Sequence, residues 1–182
     1  MLKSLLLLFL CFMNGCVNQG AKKFNAVQGI QGDVDVIIFS STDCPIANAL
    51  APEIERIHKE VQSKGGELFL IHVLEGRTYR DANAHAEEFG LTMKVLVDSE
   101  HELVNKFNAT TTPEAVVVRY NKEGLPIVVY QGLINNLFDS PGNRRDTATQ
   151  HYVRDAIDAA FAQGQVSPAY RVPTGCVIEK IQ

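Results

Sequence analysis

Tryptophan does not occur in this chain of 182 residues, which limits the aromatic platforms on which nucleic-acid bases stack. Positive charge is scarce too. The net charge is −4 and no basic stripe appears, so nothing is offered to a phosphate backbone and nucleic acid is not an expected partner. The glycines are dispersed and build no phosphate-cradling loop. His58, His72, His85, His101 and His151 are scattered, without the close Cys/His spacing that holds zinc. No metal and no nucleotide cofactor is therefore expected. Repeats are absent, and nothing beyond the amino-terminal run is of low complexity.

What is present suits one compact soluble domain with a sizeable core: 46% of the residues are hydrophobic and 21% charged. The amino terminus stands apart. Lys3 precedes the run Leu5-Leu6-Leu7-Leu8-Phe9-Leu10-Cys11-Phe12-Met13, too short for a membrane span but suited to the core of a signal peptide. Asn14-Gly15-Cys16 follows and resembles a bacterial lipoprotein cleavage site, with Cys16 lipidated; an ordinary secretory signal cut nearby is the alternative. The expected organisation is a signal peptide at 1–15, a lipidated tether at 16–32, a domain at 33–165 and an extended tail at 166–182. Of four cysteines, Cys11 then leaves with the signal and Cys16 carries lipid. Cys44 and Cys176 remain in an exported compartment, where thiols oxidise or do redox work.

Cys44 has an informative setting. Val34-Asp35-Val36-Ile37-Ile38-Phe39 reads as a strand buried on both faces. Ser40-Ser41-Thr42-Asp43 breaks it, and Cys44-Pro45 opens a segment with helical spacing. A cysteine at a helix start meets free N–H groups and the positive end of the dipole, which stabilise its thiolate. Pro45 fits the first turn because its missing N–H removes no intrahelical bond. The competing reading is a thiol that only fills space. Asp43, an adjacent negative charge, would oppose ionisation.

Helical spacing continues through Ile46, Leu50, Ile54, Ile57 and Val61, one core-facing stripe, with Glu53, Glu55, Arg56, Lys59 and Glu60 as a solvated face. Gly65-Gly66 ends this helix. Residues 67–74 read as a central strand, in which His72 is expected to sit in the core with a backbone partner. Further along come a helix at 78–90, a short strand at 94–98, a helix at 100–107, a hairpin at 116–120 and 126–131, and a last helix at 146–162. Thr110-Thr111-Thr112-Pro113 precedes a strand, so Pro113 occupies a position proline tolerates, and its peptide bond is open to the cis form. Strands alternating with helices predict an α/β fold: a mixed, largely parallel sheet with helices on both faces and an antiparallel hairpin at its edge. Sites in such sheets lie beyond strand carboxyl ends, where Cys44 falls.

These features resemble the thioredoxin superfamily and, within it, the redoxin branch, the alkyl hydroperoxide reductase/thiol-specific antioxidant group. The resemblance covers residues 30–165. It rests on a strand followed by Cys44-Pro45, on Pro52 eight residues after Cys44, on Thr112-Pro113 before a strand, and on an extra strand and helix at 78–98. Asp43-Cys44-Pro45-Ile46-Ala47-Asn48 with Gly175-Cys176 also looks like a subgroup of envelope redoxins. The resemblance implies a thioredoxin-like fold with a redoxin-type insertion and a cis Pro113 lying against the active sulfur. Departures are plain. Ala47 stands where thioredoxins carry a second cysteine, and Ile37 where peroxiredoxins carry proline, although Ser41 matches their hydroxyl position. The spacing also differs from the Cys-x-x-x-Cys of copper-delivery relatives.

Three functions remain open on these grounds. A thiol-disulfide oxidoreductase of the cell envelope would use Cys44 as nucleophile, with release by Cys176 or by an external thiol. A thiol peroxidase would oxidise Cys44 to sulfenic acid, with Ser41 positioning the peroxide. A non-catalytic lipoprotein binding module would use a Cys44–Cys176 bridge as a staple. Site residues on the catalytic readings are Cys44, Cys176, Pro113, Thr112 and Ser41, with Cys16 for lipidation and no cofactor. Partners would be protein or small-molecule disulfides or peroxides, an external thiol reductant, and the membrane through the lipid. Cys176 is expected on an extended, mobile tail freed by Gly175, or else as a free thiol packed beneath it.

Overall fold

Seven consecutive residues without one exposed position form the first strand, β1 (Val34–Ser40), as an apolar β-branched run covered on both faces should. The computed structural model describes residues 33–73, 76 and 78–181. After β1 come α1 (Pro45–Ser63), β2 (Glu67–His72), α2 (Tyr79–Glu88), β3 (Lys94–Val97), α3 (Glu102–Phe107), β4 (Thr111–Thr112), β5 (Glu114–Tyr120) and β6 (Pro126–Gly132). The chain continues through β7 (Phe138–Ser140), β8 (Asn143–Arg144), α4 (Tyr152–Phe161), β9 (Tyr170–Arg171) and β10 (Cys176–Val177). The expected signal peptide, tether and Cys16 lie outside the described residues. Among the described residues no helix is long and apolar enough to cross a membrane.

The main sheet runs β3-β2-β1-β5-β6-β9. Pairs β1–β2, β2–β3 and β6–β9 are parallel, and β1–β5 and β5–β6 antiparallel. Alternation along β1 divides the core between the two faces. Val34, Val36 and Ile38 pack with α1, α2 and α4, while Ile37 and Phe39 pack with Leu103 and Val104 of α3. This is the mixed sheet with helices on both faces that the sequence predicts. Ile46, Leu50, Ile54, Ile57 and Val61 are all buried, and each contributes roughly 1.5–3 kcal/mol relative to exposure. Thr78 and Asp81 close a capping box at the start of α2.

Several expectations need correction. Glu53 is not on a solvated face. It is buried, bonded to Arg56 at 2.8 Å and 3.4 Å from His151, where α4 begins and covers that side of α1. The last helix starts at Tyr152 rather than at 146, because Asn136 Oδ1 accepts the Thr149 and Gln150 amides and fixes that segment as a loop. The hairpin is not the sheet edge, since β9 lies outside β6. Neither ring nitrogen of His72 has a partner among the described residues. Its ring meets His85 edge to face, with centroids 5.1 Å apart.

The tail differs most from expectation: it is held, not mobile. Tyr170 and Arg171 pair with Gln131 and Gly132, and Cys176 and Val177 with Thr112 and Thr111. Both joints require glycine. A Cβ on Gly132 would stand 1.8 Å from the Arg171 carbonyl oxygen, and one on Gly175 2.0 Å from that of Thr112. Arg171 also lies over the Tyr152 ring, 4.0 Å from its centroid.

Two buried groups make stability depend on pH in opposite senses. Burial pushes His72 down to about 4, so its contribution is complete above the ordinary histidine pKa and is lost as pH falls towards 4. Asp35 is fully buried with both oxygens outside hydrogen-bonding geometry. Burial pushes it up to about 6, only partly offset by the Tyr120 hydroxyl. A raised carboxyl stabilises below its unfolded pKa, and that stability is lost as pH rises through 6. Asp35→Asn should therefore gain about 2 kcal/mol over wild type in urea unfolding on going from pH 4 to pH 7.5. Equal pH dependence of the two proteins would show that this carboxyl ionises as freely as in water.

Candidate active site

Where β1 ends, the turn 41–43 brings Cys44 to the start of α1. The Cys44 amide donates to the Ser41 carbonyl at 3.3 Å, and the Asp43 amide to Ser41 Oγ at 3.3 Å. Cys44 is the N-cap, and its sulfur accepts the Ala47 amide at 3.5 Å. The sulfur thus takes the place of the usual capping oxygen and receives one of the helix's orphan donors. Asn48 braces the turn, donating to the Thr42 carbonyl at 3.2 Å, while its oxygen lies 2.8 Å from His85 Nε2.

From across the site comes the loop before β5. The Thr112–Pro113 bond is cis, as the resemblance implies. It is the Thr112 carbonyl that meets the sulfur, at 2.9 Å from Sγ. Glu114 fixes this loop from beneath. Its carboxylate, fully buried, accepts the Thr110 amide at 2.8 Å, the Thr111 amide at 3.3 Å and Gln131 Nε2 at 2.6 Å.

The third wall is β10. Antiparallel pairing sets Cys176 opposite Thr112, and Thr112 Oγ1 donates to the Cys176 carbonyl at 3.4 Å. The Cys176 thiol shares the cavity with the Cys44 sulfur. Burial opposes ionisation of Cys44. The Cys176 thiol, the Ala47 and Cys176 amides and the Thr112 side chain outweigh it, and the thiol lies below its ordinary value. Cys176 moves the other way: burial and the adjacent Cys44 push it up to about 11. One sulfur is arranged to carry charge and its neighbour to keep its proton.

These residues line a cavity of about 350 Å³. Cys44, Cys176, Thr112 and Ser41 all face it, whereas Pro113 does not line it and lies instead against Gly175, its Cδ 3.1 Å from where a Cβ there would stand. Three contributors were not foreseen. His101 lines the cavity from a left-handed backbone position, φ 52°, with Nε2 3.0 Å from the Val73 carbonyl. Since a carbonyl only accepts, Nε2 is the donor. Ile178 and Glu114 are the others, and no short-range pattern marks any of the three. Among the described residues no cluster of three or more His, Cys, Asp or Glu could hold a metal.

The AhpC/TSA family model matches residues 13–126. An uncharacterised conserved protein from Geobacillus kaustophilus is 25% identical, with a TM-score of 0.69 over 84% of this chain and 80% of that one. A hypothetical protein from Sinorhizobium meliloti 1021 is 21% identical, with a TM-score of 0.69 over 82% and 81%. A putative thiol:disulfide interchange protein DsbE from Chlorobium tepidum is 15% identical, with a TM-score of 0.53 over 71% and 81%. The fold is thioredoxin-like, as these likenesses show. No curated protein matches the chain.

Replacing Cys176 by alanine removes a donor to the Cys44 sulfur. The midpoint of the pH profile for iodoacetamide alkylation of Cys44 should lie below that of an ordinary thiol in the wild type and rise in Cys176→Ala. A midpoint that does not move would show that the second thiol does not stabilise the first.

Proposed function

Because the chain belongs to the AhpC/TSA family, we propose that its cysteine pair performs thiol-disulfide exchange, with Cys44 as nucleophile and Cys176 as the thiol that completes the cycle. The observation that carries this reading is the placement of both thiols in one cavity, with Cys176 paired opposite Thr112, whose carbonyl meets the Cys44 sulfur. The Cys44 thiolate attacks one sulfur of a substrate disulfide, forming a mixed disulfide and expelling the other sulfur as a thiolate. Cys176, losing its proton to solvent, then attacks Cys44 Sγ and expels the second substrate thiolate. The substrate gains two electrons and two protons, and the protein is left with a Cys44–Cys176 disulfide. An external dithiol restores it by the reverse exchange.

Roles follow from contacts. The Ala47 amide and the helix start stabilise the attacking thiolate. The Thr112 carbonyl accepts from the Cys44 thiol only while that is protonated, so it orients the resting sulfur without favouring its charge. One observation favours exchange over peroxide reduction: a second thiol lines the same cavity as the first. The neighbour described as a putative thiol:disulfide interchange protein agrees with this reading through its fold.

On the same reading the protein works in the cell envelope, tethered through a lipidated Cys16, where an oxidising setting gives a dithiol its use. Mass analysis of the full-length product from membrane fractions, after mild oxidation and without reductant, should find an acylated Cys16 and a linked Cys44–Cys176 peptide. Cys44→Ser should lose insulin reduction while remaining folded. Two separately alkylatable thiols after oxidation would remove Cys176 from the cycle, and an unacylated mature terminus would remove the anchor.

A further inference from the structure

Cys44 is fully buried, with 0% of its surface exposed, yet exchange requires a substrate sulfur to reach it. The tail is what covers it. Residues 177–181 line the cavity beside Cys44 and also a second cavity of about 420 Å³ bordered by Val104, Asn108 and Ala109. The tail therefore lies in a trough that begins at the sulfur and continues along α3.

The trough treats each tail position differently. At 175 it admits no side chain, because a Cβ would approach the Thr112 carbonyl oxygen to 2.0 Å. At 176 a thiol shares the cavity with Cys44. Strand alternation turns 177 outward, and Val177 is 80% exposed. At 178 the chain turns inward again: the Ile178 amide donates to the Thr110 carbonyl at 2.9 Å, and its side chain is buried with Leu103, Val104 and Ala109. Glycine, cysteine, an unconstrained residue and an aliphatic residue are thus read in succession. The backbone edge that reads them is held by the Glu114 carboxylate.

We propose that this trough is the binding site for an extended segment of a protein substrate with that same succession around its reactive cysteine, and that the tail occupies it as an internal competitor until such a segment displaces it. This rests on Cys44 being the nucleophile. The site then takes protein disulfides in extended segments, since any substrate must first replace β10. Displacement is within reach because the ladder is only two residues long and an incoming strand remakes the same backbone bonds. A tethered tail competes at an effective concentration on the order of millimolar, so segments that match the trough poorly are excluded.

Anisotropy of a labelled peptide with the sequence of residues 172–181, serine replacing its cysteine, tests this without redox chemistry. Two full-length tail-released proteins serve: Gly175→Ala, which sets a methyl against the Thr112 carbonyl, and Ile178→Asp, which places a carboxylate in the apolar pocket. Each should bind the peptide at least tenfold more tightly than wild type. Peptides carrying Gly175→Ala or Ile178→Asp should lose binding, and one carrying Val177→Lys should keep it. The same pattern in a Cys44→Ser background separates this claim from the exchange mechanism, which that change abolishes. Failure of both released proteins to bind, or binding indifferent to peptide sequence, would overturn the proposal. A concentration-dependent dimer of wild type in sedimentation would assign the trough to a second copy's tail instead.

Discussion

A sulfur buried at a helix start must be solvated by the protein itself, and the arrangement around Cys44 follows from that constraint. Burial alone would keep the thiol neutral. Against it stand the Ala47 amide, supplied by the helix that Cys44 caps, and the Cys176 thiol, supplied by a strand from the far end of the chain. Two donors of such different origin meet one sulfur only if the helix, the cis-proline loop and the tail keep fixed places.

The loop and the tail depend on each other. Glu114 gathers the Thr110 and Thr111 amides, so that the Thr110 carbonyl faces the tail and the Thr112 carbonyl the sulfur. A buried carboxylate that accepts several amides is a strong anchor, because each lost partner would leave a charge uncompensated. Gly175 then allows the tail backbone to approach Thr112, and Ile178 fastens it through apolar burial. Remove any of these and Cys44 loses a donor as well as a cover. Nucleophile strength and access to the nucleophile are therefore controlled by the same few contacts.

Much of this was legible because it is local. The β1 run, the break at Ser40-Ser41-Thr42-Asp43, Pro45 at a first helical turn and Thr112-Pro113 before a strand each declare themselves within a few residues. What escaped depends on distant partners. Glu53 keeps the helical spacing of a surface residue, yet α4 covers it. His72 looks like a core histidine with a backbone bond, but its neighbour is the ring of His85 from another element. The segment before α4 has no helix breaker strong enough to exclude a helix; a single asparagine side chain, Asn136, claims its amides. The tail carries proline and glycine and reads as loose, and only pairing with the distant Gln131–Gly132 and Thr111–Thr112 edges makes two short strands of it. Pairing of two residues leaves no periodicity to detect.

The central claim is that Cys44 and Cys176 are a working dithiol rather than a structural staple, and their reduction potential tests it most directly. A thiolate stabilised in the reduced protein favours that form and makes the pair more oxidising, whereas structural bridges lie below about −300 mV. Equilibration of the full-length protein in defined thiol redox buffers, with the disulfide quantified by mass, should give a potential above that limit. A value below it would contradict the account and leave the two cysteines as a brace for the tail.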